Sequence, residues 1–480
     1  MYTIGKQDIW QLLTRGFAVV LVVIAGFAVA KDAWWLFGLP VLACLAAITL
    51  LDYRWLYFAF FGLVPFSTEV DLPGGLGTDL PTEPIMLALT GIAVVLALMR
   101  WREVDTRYIT HSFTLILVVH ILWILVTAVL STHPVISFKF LLAKLWYVIP
   151  FYAMTIYILR DDRMIEWCWR LFFVGLAVSV STVVIRFIPY NFEFKYIEKI
   201  MQPFFRNHVN YAAIMAVSLP WLWALWQRSG GKLMSWSLVG IVFFATATYY
   251  SYTRAAIASI PIAIIMYYVI KLRLLRVVVG FASIGAIVLL AHLLTDRNWL
   301  EYAPDYTKTV SHRSFDDLLS ATAKGEDIST MERVYRWVAA GRMIADKPLH
   351  GFGPGSFYES YRPYTVTAFK TYVSDNPQKS GIHSYYLMTW VDQGVIGLLI
   401  FLLLTVWPLL YGERLYHLIE DGGDKIWLMA SLLCLIVIDV IILINDLLEV
   451  DKVGPLYFFS LAIIVVVSMR HRDKAALDPN

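Results

Sequence analysis

Cysteine is nearly missing from this 480-residue chain: there are three, Cys44, Cys168 and Cys434, each in or beside an apolar block. The long polar segment has none, which excludes a disulfide framework and a thiolate metal site there. Charge is sparse too, at 16% of residues against about 25% in soluble domains. The net charge of +3 is too slight to imply a nucleic-acid partner. There is no P-loop and no HExxH, so the common phosphate-cradle and zinc-hydrolase signatures are absent. Neither an internal repeat nor a soluble enzymatic domain is visible.

What remains is apolar: 59% hydrophobic residues and a mean hydropathy of +0.66. The apolar residues come in blocks of about 15–25, the length a helix needs to cross about 30 Å of hydrocarbon. Lipid cannot satisfy backbone polar groups, so such blocks are helical. The expected fold is an all-α polytopic membrane protein with about 12–14 transmembrane helices. The candidate spans are 16–30, 33–51, 53–67, 83–99, 112–130, 140–159, 165–188, 209–227, 233–252, 254–270, 275–294, 384–411, 425–445 and 453–469. The first is expected to be a retained helix, since no small-residue cleavage site follows it.

Positive charge orients the spans. "RWREVDTR" (100–107), "RDDR" (160–163), "RSGGK" (228–232), "KLRLLR" (271–276) and "RHRDK" (470–474) fall on one side, taken as cytoplasmic with both termini. The other side carries 67–83, 131–137, 189–208 and 295–383. The chain thus divides into a bundle at 1–294, an outer loop or cap at 295–383, and C-terminal helices with a cytoplasmic tail at 384–480. Within the cap, "STMERVYRWVAAGRMIADKP" has Met331, Val334, Val338 and Met343 at helical spacing, which predicts a helix.

Charged groups in or near hydrocarbon are costly, about 2.5–3.5 kcal/mol at a helix centre, so they mark candidate chemistry. "FFRNHVNYAA" brings Arg206, His208 and Asn210 to the outer end of a span; a snorkelling interfacial anchor is the plain alternative. "YYSYTRAAIAS" sets Arg254 between apolar blocks with no acidic neighbour. An arginine at the outer end runs against the positive-inside tendency and calls for an anion, although a helix-end carbonyl or a lipid phosphate would also serve. "HSYYLMTWVDQG" holds His383, Tyr385, Tyr386 and Asp392. His383 and Asp392 are too far apart on one helix to touch, so Asp392 needs another partner. Asp439, deep in an apolar run, is as readily structural as functional. Glu69, Asp71 and Asp79 in the acidic loop could hold a divalent cation but read more readily as solvated turn residues, so no metal and no cofactor are expected.

The three outer clusters, in order, resemble the bacterial O-antigen ligase and polymerase superfamily, membrane glycosyltransferases that use lipid-linked glycans. "RNHVNYAAI" looks like its polar-N-x-x-A helix opening, and "SYTRAAIAS" like S-x-[ST]-R-[GA]-A. "RVYRWVAAGRMIADKPLHGFGPGSF" is similar to its R-x(3)-W and D-x-P-x-x-G-x-G-x-G-x-F loop signature. "HSYYLMTWVDQGVIGLLIF" is similar to H-[NS]-x-[YF]-L-x(4)-[ED]-x-G-x-x-G-L-x-x-F. Ser384 stands where Asn is usual, and Asp392 where Glu is commoner.

The resemblance implies a GT-C-like fold and an inverting, metal-independent transferase of the bacterial inner membrane, with its site facing the periplasm. The donor would be a glycan on undecaprenyl pyrophosphate, with membrane lipids as surroundings. The acceptor would be a hydroxyl of lipid A-core in a ligase. It would be a growing glycan in an O-antigen or exopolysaccharide polymerase, and a protein in an O-oligosaccharyltransferase. It implies Arg206 and Arg254 on the pyrophosphate and His383 as base, with His208, Asn210, Arg333, Arg336, Tyr385 and Tyr386 binding substrate. Loop placement and chain length lean toward the ligase. A transporter or flippase is the competing class, but it usually places charge near the midplane of two related halves.

Overall fold

A computed structural model describes residues 52–72, 76–100, 102, 105–159, 161–295, 328–369, 374, 381–420 and 422–477. The two spans expected at 16–30 and 33–51 lie outside these residues. Residues up to Ala59 group with that first segment, while Phe60–Asn480 form one unit, which is the subject below.

Twelve apolar helices follow the remaining twelve expected spans. They are α1 (Arg54–Leu63), α2 (Thr82–Met99), α3 (Ser112–Val129), α4 (Pro134–Val148), α5 (Asp162–Phe187), α6 (His208–Arg228), α7 (Gly231–Tyr249), α8 (Arg254–Lys271), α9 (Leu275–Leu294), α11 (Tyr385–Leu418), α12 (Gly423–Ile442) and α13 (Gly454–Leu477). The expected loop helix is α10 (Ile328–Asp346). Ten of the described helices are long and apolar enough to cross a membrane, with two shorter ones at Arg54–Phe66 and Met234–Tyr249. The protein is thus an all-α polytopic membrane protein. Its one sheet among the described residues is an antiparallel hairpin, β1 (Thr68–Leu72) with β2 (Leu76–Leu80).

Helices α6, α12 and α13 form the centre, being buried almost all round, whereas α9 is exposed along nearly its whole length and suits lipid. Trp169 of α5 and Trp221 of α6 stack at 4.5 Å in this core, an aromatic pairing favourable beyond the area it buries. Pro150 explains the π-helical turn Ile149–Met154 that continues α4, because it cannot donate to the helical ladder.

The two ends of the unit differ in chemistry. At one end, Arg228 pairs with Asp162 (2.9 Å) and Glu166 (3.2 Å), Arg470 with Asp162 (2.6 Å) and Asp424 (2.9 Å), and Lys474 with Asp424 (3.0 Å). Three of the basic stretches that the sequence assigns to one side therefore meet there. At the other end, the hairpin, the 189–208 segment, the α7–α8 turn, the 347–369 loop and the α12–α13 loop converge.

Helix α10 packs Tyr335, Ala339 and Met343 against Phe352, Phe357 and Val391. This core fastens the loop to α11 where that helix breaks. Gly394 has φ 69° and ψ −174°, a region essentially closed to side-chain-bearing residues. A Cβ there would lie 2.1 Å from the Leu349 carbonyl oxygen. Across the break, the backbone N–H groups of Phe352 and Gly353 donate to the Val391 and Asp392 carbonyls (3.0 and 2.8 Å). The Asp392 carboxylate accepts the Gly355 N–H at 2.8 Å. The partner that Asp392 required is therefore the glycine-rich loop, and the D-x-G and G-x-G-x-G patterns are two halves of one joint.

Candidate active site

His383 closes the loop at the mouth of α11 in a left-handed conformation, φ 58°, which is uncommon for a side-chain-bearing residue. Three contacts hold it. Asp446, from the α12–α13 loop, accepts the His383 N–H at 2.8 Å. The Trp337 indole donates to the Ile382 carbonyl at 3.1 Å, and Arg336 to the Gly381 carbonyl at 3.3 Å. Arg336 is itself buried and bonded to Glu332 (3.3 Å), which also accepts Ser374 (2.6 Å). The R-x-x-R-W run of α10 thus serves partly to grip the backbone on which the histidine sits.

Burial first, then the charges of Arg333 and Arg336, push the His383 imidazole down to about 3. Its ring is therefore neutral at ordinary pH. Asp446 is pushed up to about 6 by burial, against the pull of the His383 and Ser384 N–H groups and of the two arginines. Gly381 leaves room for this carboxylate: a Cβ there would sit 2.5 Å from Asp446 Oδ2. Gly381→Ala is expected to fold and insert normally but to lose turnover by roughly 10²-fold, the cost of moving a reacting group by about 1 Å. Circular dichroism beside a transfer assay reads both.

Two helix starts adjoin. Asn207 caps α6, its side chain accepting the N–H groups of Val209 (3.0 Å) and Asn210 (2.9 Å), so His208 occupies the first helical position. Thr253 precedes α8 and donates to the His208 carbonyl at 3.1 Å, which brings Arg254, first residue of α8, beside α6. Tyr252, at φ 58°, turns the chain and donates to the Phe192 carbonyl at 2.7 Å. Arg254 and Arg333 both act electrostatically on His208, and Arg333 also on His383. Arg254, His208, Arg333, Arg336 and His383 therefore form one field of positive charge around neutral rings, with two helix N-termini adding partial positive charge.

Other expected residues lie elsewhere. Arg206 is exposed and pairs with Glu69 of the hairpin at 3.2 Å. With Asn210 it lines a separate cavity of about 100 Å3, whose wall also includes Glu449, Asp451 and Lys452. Tyr385 is only 1% exposed; its hydroxyl accepts from Lys144 at 3.0 Å and donates to Glu449. Tyr386 shares a hydrogen bond with Asp439. Tyr385 is buried in these bonds, whereas Tyr386 is half-buried. The functional end also contains residues that the sequence reading passed over: Lys144, Asp446, Glu449, Asp451 and Lys452. "NDLLEVDK" (445–452), four charges directly after an apolar span, was the available signal.

An all-helical membrane protein with an arginine and histidine field at one end suits the handling of an anionic, lipid-borne substrate. The family model described as O-antigen ligase (Wzy_C) matches residues 239–402, and this match supports membership of the O-antigen ligase and polymerase superfamily. Arg254, Arg333, Arg336 and His383 fall inside the matched segment, whereas Arg206, His208, Asn210 and the 445–452 loop lie outside it. No curated protein matches the chain.

Proposed function

We propose that the chain is an O-antigen ligase-type glycosyltransferase, moving a glycan from undecaprenyl pyrophosphate to a hydroxyl of lipid A-core at the periplasmic face of the inner membrane. In this reading both termini are cytoplasmic and 295–383 is the periplasmic cap. The observation that supports it most is the Arg254–His208–Arg333–His383 cluster at one end of the bundle, with its arginines and His383 inside the ligase-family segment.

The chemistry follows from the charges. As the acceptor oxygen bonds to the anomeric carbon, the carbon–oxygen bond to pyrophosphate breaks, and the phosphate oxygen leaves with the electron pair. Arg254 and Arg333, always protonated and able to bind phosphate through a fork, hold the growing charge in a water-poor setting where such contacts are strongest. The acceptor proton passes to His383. Donor pyrophosphate offsets the arginine charges that hold the imidazole down, so binding the donor raises the basicity of the base. Arg206 would meet substrate at the neighbouring cavity, and Tyr385 would act by positioning Glu449.

Asp446 gives the reaction its acid limit. As pH falls through about 6 its carboxylate becomes neutral and its hold on the His383 N–H weakens. We expect kcat/KM, which reports the free enzyme, to fall below about pH 6. His383 itself titrates only near pH 3. Asp446→Asn is expected to lower the plateau and flatten that limb; an unchanged limb would remove Asp446 from the account.

A deletion strain tests the acceptor. Loss of a ligase leaves long glycan on the carrier lipid, whereas loss of a polymerase leaves single repeat units. Single units would move the proposal to the polymerase branch.

A further inference from the structure

The cavity beside the reaction site has a composition of its own. Glu69 and Asp79 are direct cross-strand partners in the hairpin, an arrangement that like charges normally disfavour. Glu449 and Asp451 add two more carboxylates to the wall. Cations answer three of the four: Arg206 meets Glu69 at 3.2 Å, Lys452 lies 3.7 Å from Asp451, and Lys144 binds Glu449. Among the described residues Asp79 makes no ion pair, and burial followed by the charge of Asp451 raises it to about 7 against the pull of Lys452. The cavity therefore offers an excess of hydrogen-bond acceptors.

A second observation points to a ligand. Asn210 is 6% exposed and lines the cavity, yet its side-chain amide makes no hydrogen bond among the described residues. The amide opens onto the cavity, so it is available to a ligand able both to donate and to accept. The four carboxylates outnumber the two cations of the lining, Arg206 and Lys452, so the balance of charge disfavours an anion. Among the described residues no group of three or more His, Cys, Asp or Glu side chains is placed to hold a metal ion. Phe204 supplies one apolar wall. Hydroxyls beside a flat ring face are what these groups recognise together, and about 100 Å3 has room for the edge of one ring, since a cavity of about 150 Å3 encloses benzene.

We infer that this cavity binds one neutral pyranose ring of the hydroxyl acceptor, through Glu69, Asp79, Asn210 and Glu449. The assignment to the acceptor rests on the transferase reading above; the sugar site itself does not. Glu449 links the two places, since the Leu447–Glu449 turn follows Asp446 directly. A ring held here lies one short turn from the residue that holds His383.

The test uses the full chain in lipid nanodiscs and saturation-transfer NMR with the methyl pyranosides of glucose, galactose and mannose. At least one should saturate. Its signal should weaken roughly five- to tenfold, the loss of one hydrogen bond, in Asn210→Leu and in Glu69→Gln. The second of these is an exposed hairpin change that leaves folding intact. Inorganic pyrophosphate should not compete. Absence of saturation with all three sugars, saturation that survives both substitutions, or displacement by pyrophosphate would each overturn the inference. If pyranosides behave as stated while pyrophosphate does not bind the wild-type chain at all, the sugar site stands and the donor reading falls.

Discussion

His383→Ala is expected to reduce glycan transfer by about 10²–10⁴-fold, the usual contribution of a positioned base, while donor-lipid binding stays close to wild type. Two features of the fold make the effect selective. The contacts that fix residue 383 run through backbone, from its N–H to Asp446 and from the Gly381 and Ile382 carbonyls to α10, so truncating the ring leaves them in place. The imidazole is neutral in the resting protein, so its loss removes no charge from the arginine cluster. Single-turnover transfer and equilibrium binding of the donor, measured on the same preparation, separate the two quantities. Wild-type turnover would take the base role away from His383.

Arg254→Lys should cost roughly 10²–10³-fold in kcat/KM, the range for losing one donor aimed at developing charge. Lysine keeps the charge but replaces a planar fork with a point charge, and at the first position of α8 its reach toward phosphate differs as well. On the proposed reading the damage falls in kcat more than in KM, because pyrophosphate charge grows as the bond breaks and only then draws on the fork. Initial rates across donor concentration decide this, and an equal loss in Arg333→Lys would show the two arginines acting together. Normal activity in Arg254→Lys would detach Arg254 from the pyrophosphate.

The helices were legible in the sequence because bilayer physics leaves little choice: an apolar block of the required length is a helix, and the described helices coincide with twelve expected spans. The broken start of α11 was legible only in part. The D-x-G pattern was visible, but its counterpart is a glycine loop some forty residues earlier, and pairing of that kind is long-range. Similarly, "TEVDL" and "LGTDL" alternate in the manner of short strands around Pro-Gly-Gly, a hairpin signal that the acidic composition obscured. Charge, a place at the outer ends of spans and the resemblance of their motifs group Arg206 with Arg254. The fold pairs Arg206 with Glu69 of the hairpin and sets it in a cavity wall with Asp451 and Lys452, long-range contacts that local sequence does not signal. Asp446 and Glu449 were passed over because a short connector between spans reads as a simple turn. Their importance arises from what the fold sets against them, His383 in one case and Tyr385 with Lys144 in the other.

On the proposed reading, guanidinium groups and one imidazole at the loop-bearing end of the bundle carry out glycosyl transfer from a lipid pyrophosphate. Purified protein supplied with an undecaprenyl-pyrophosphate glycan, lipid A-core and a chelator tests it most directly. Glycan joined to lipid A-core, with inversion at the anomeric carbon and loss of product in His383→Ala, is the predicted result. Product that forms only when a divalent ion is restored, or equally well without His383, would contradict it.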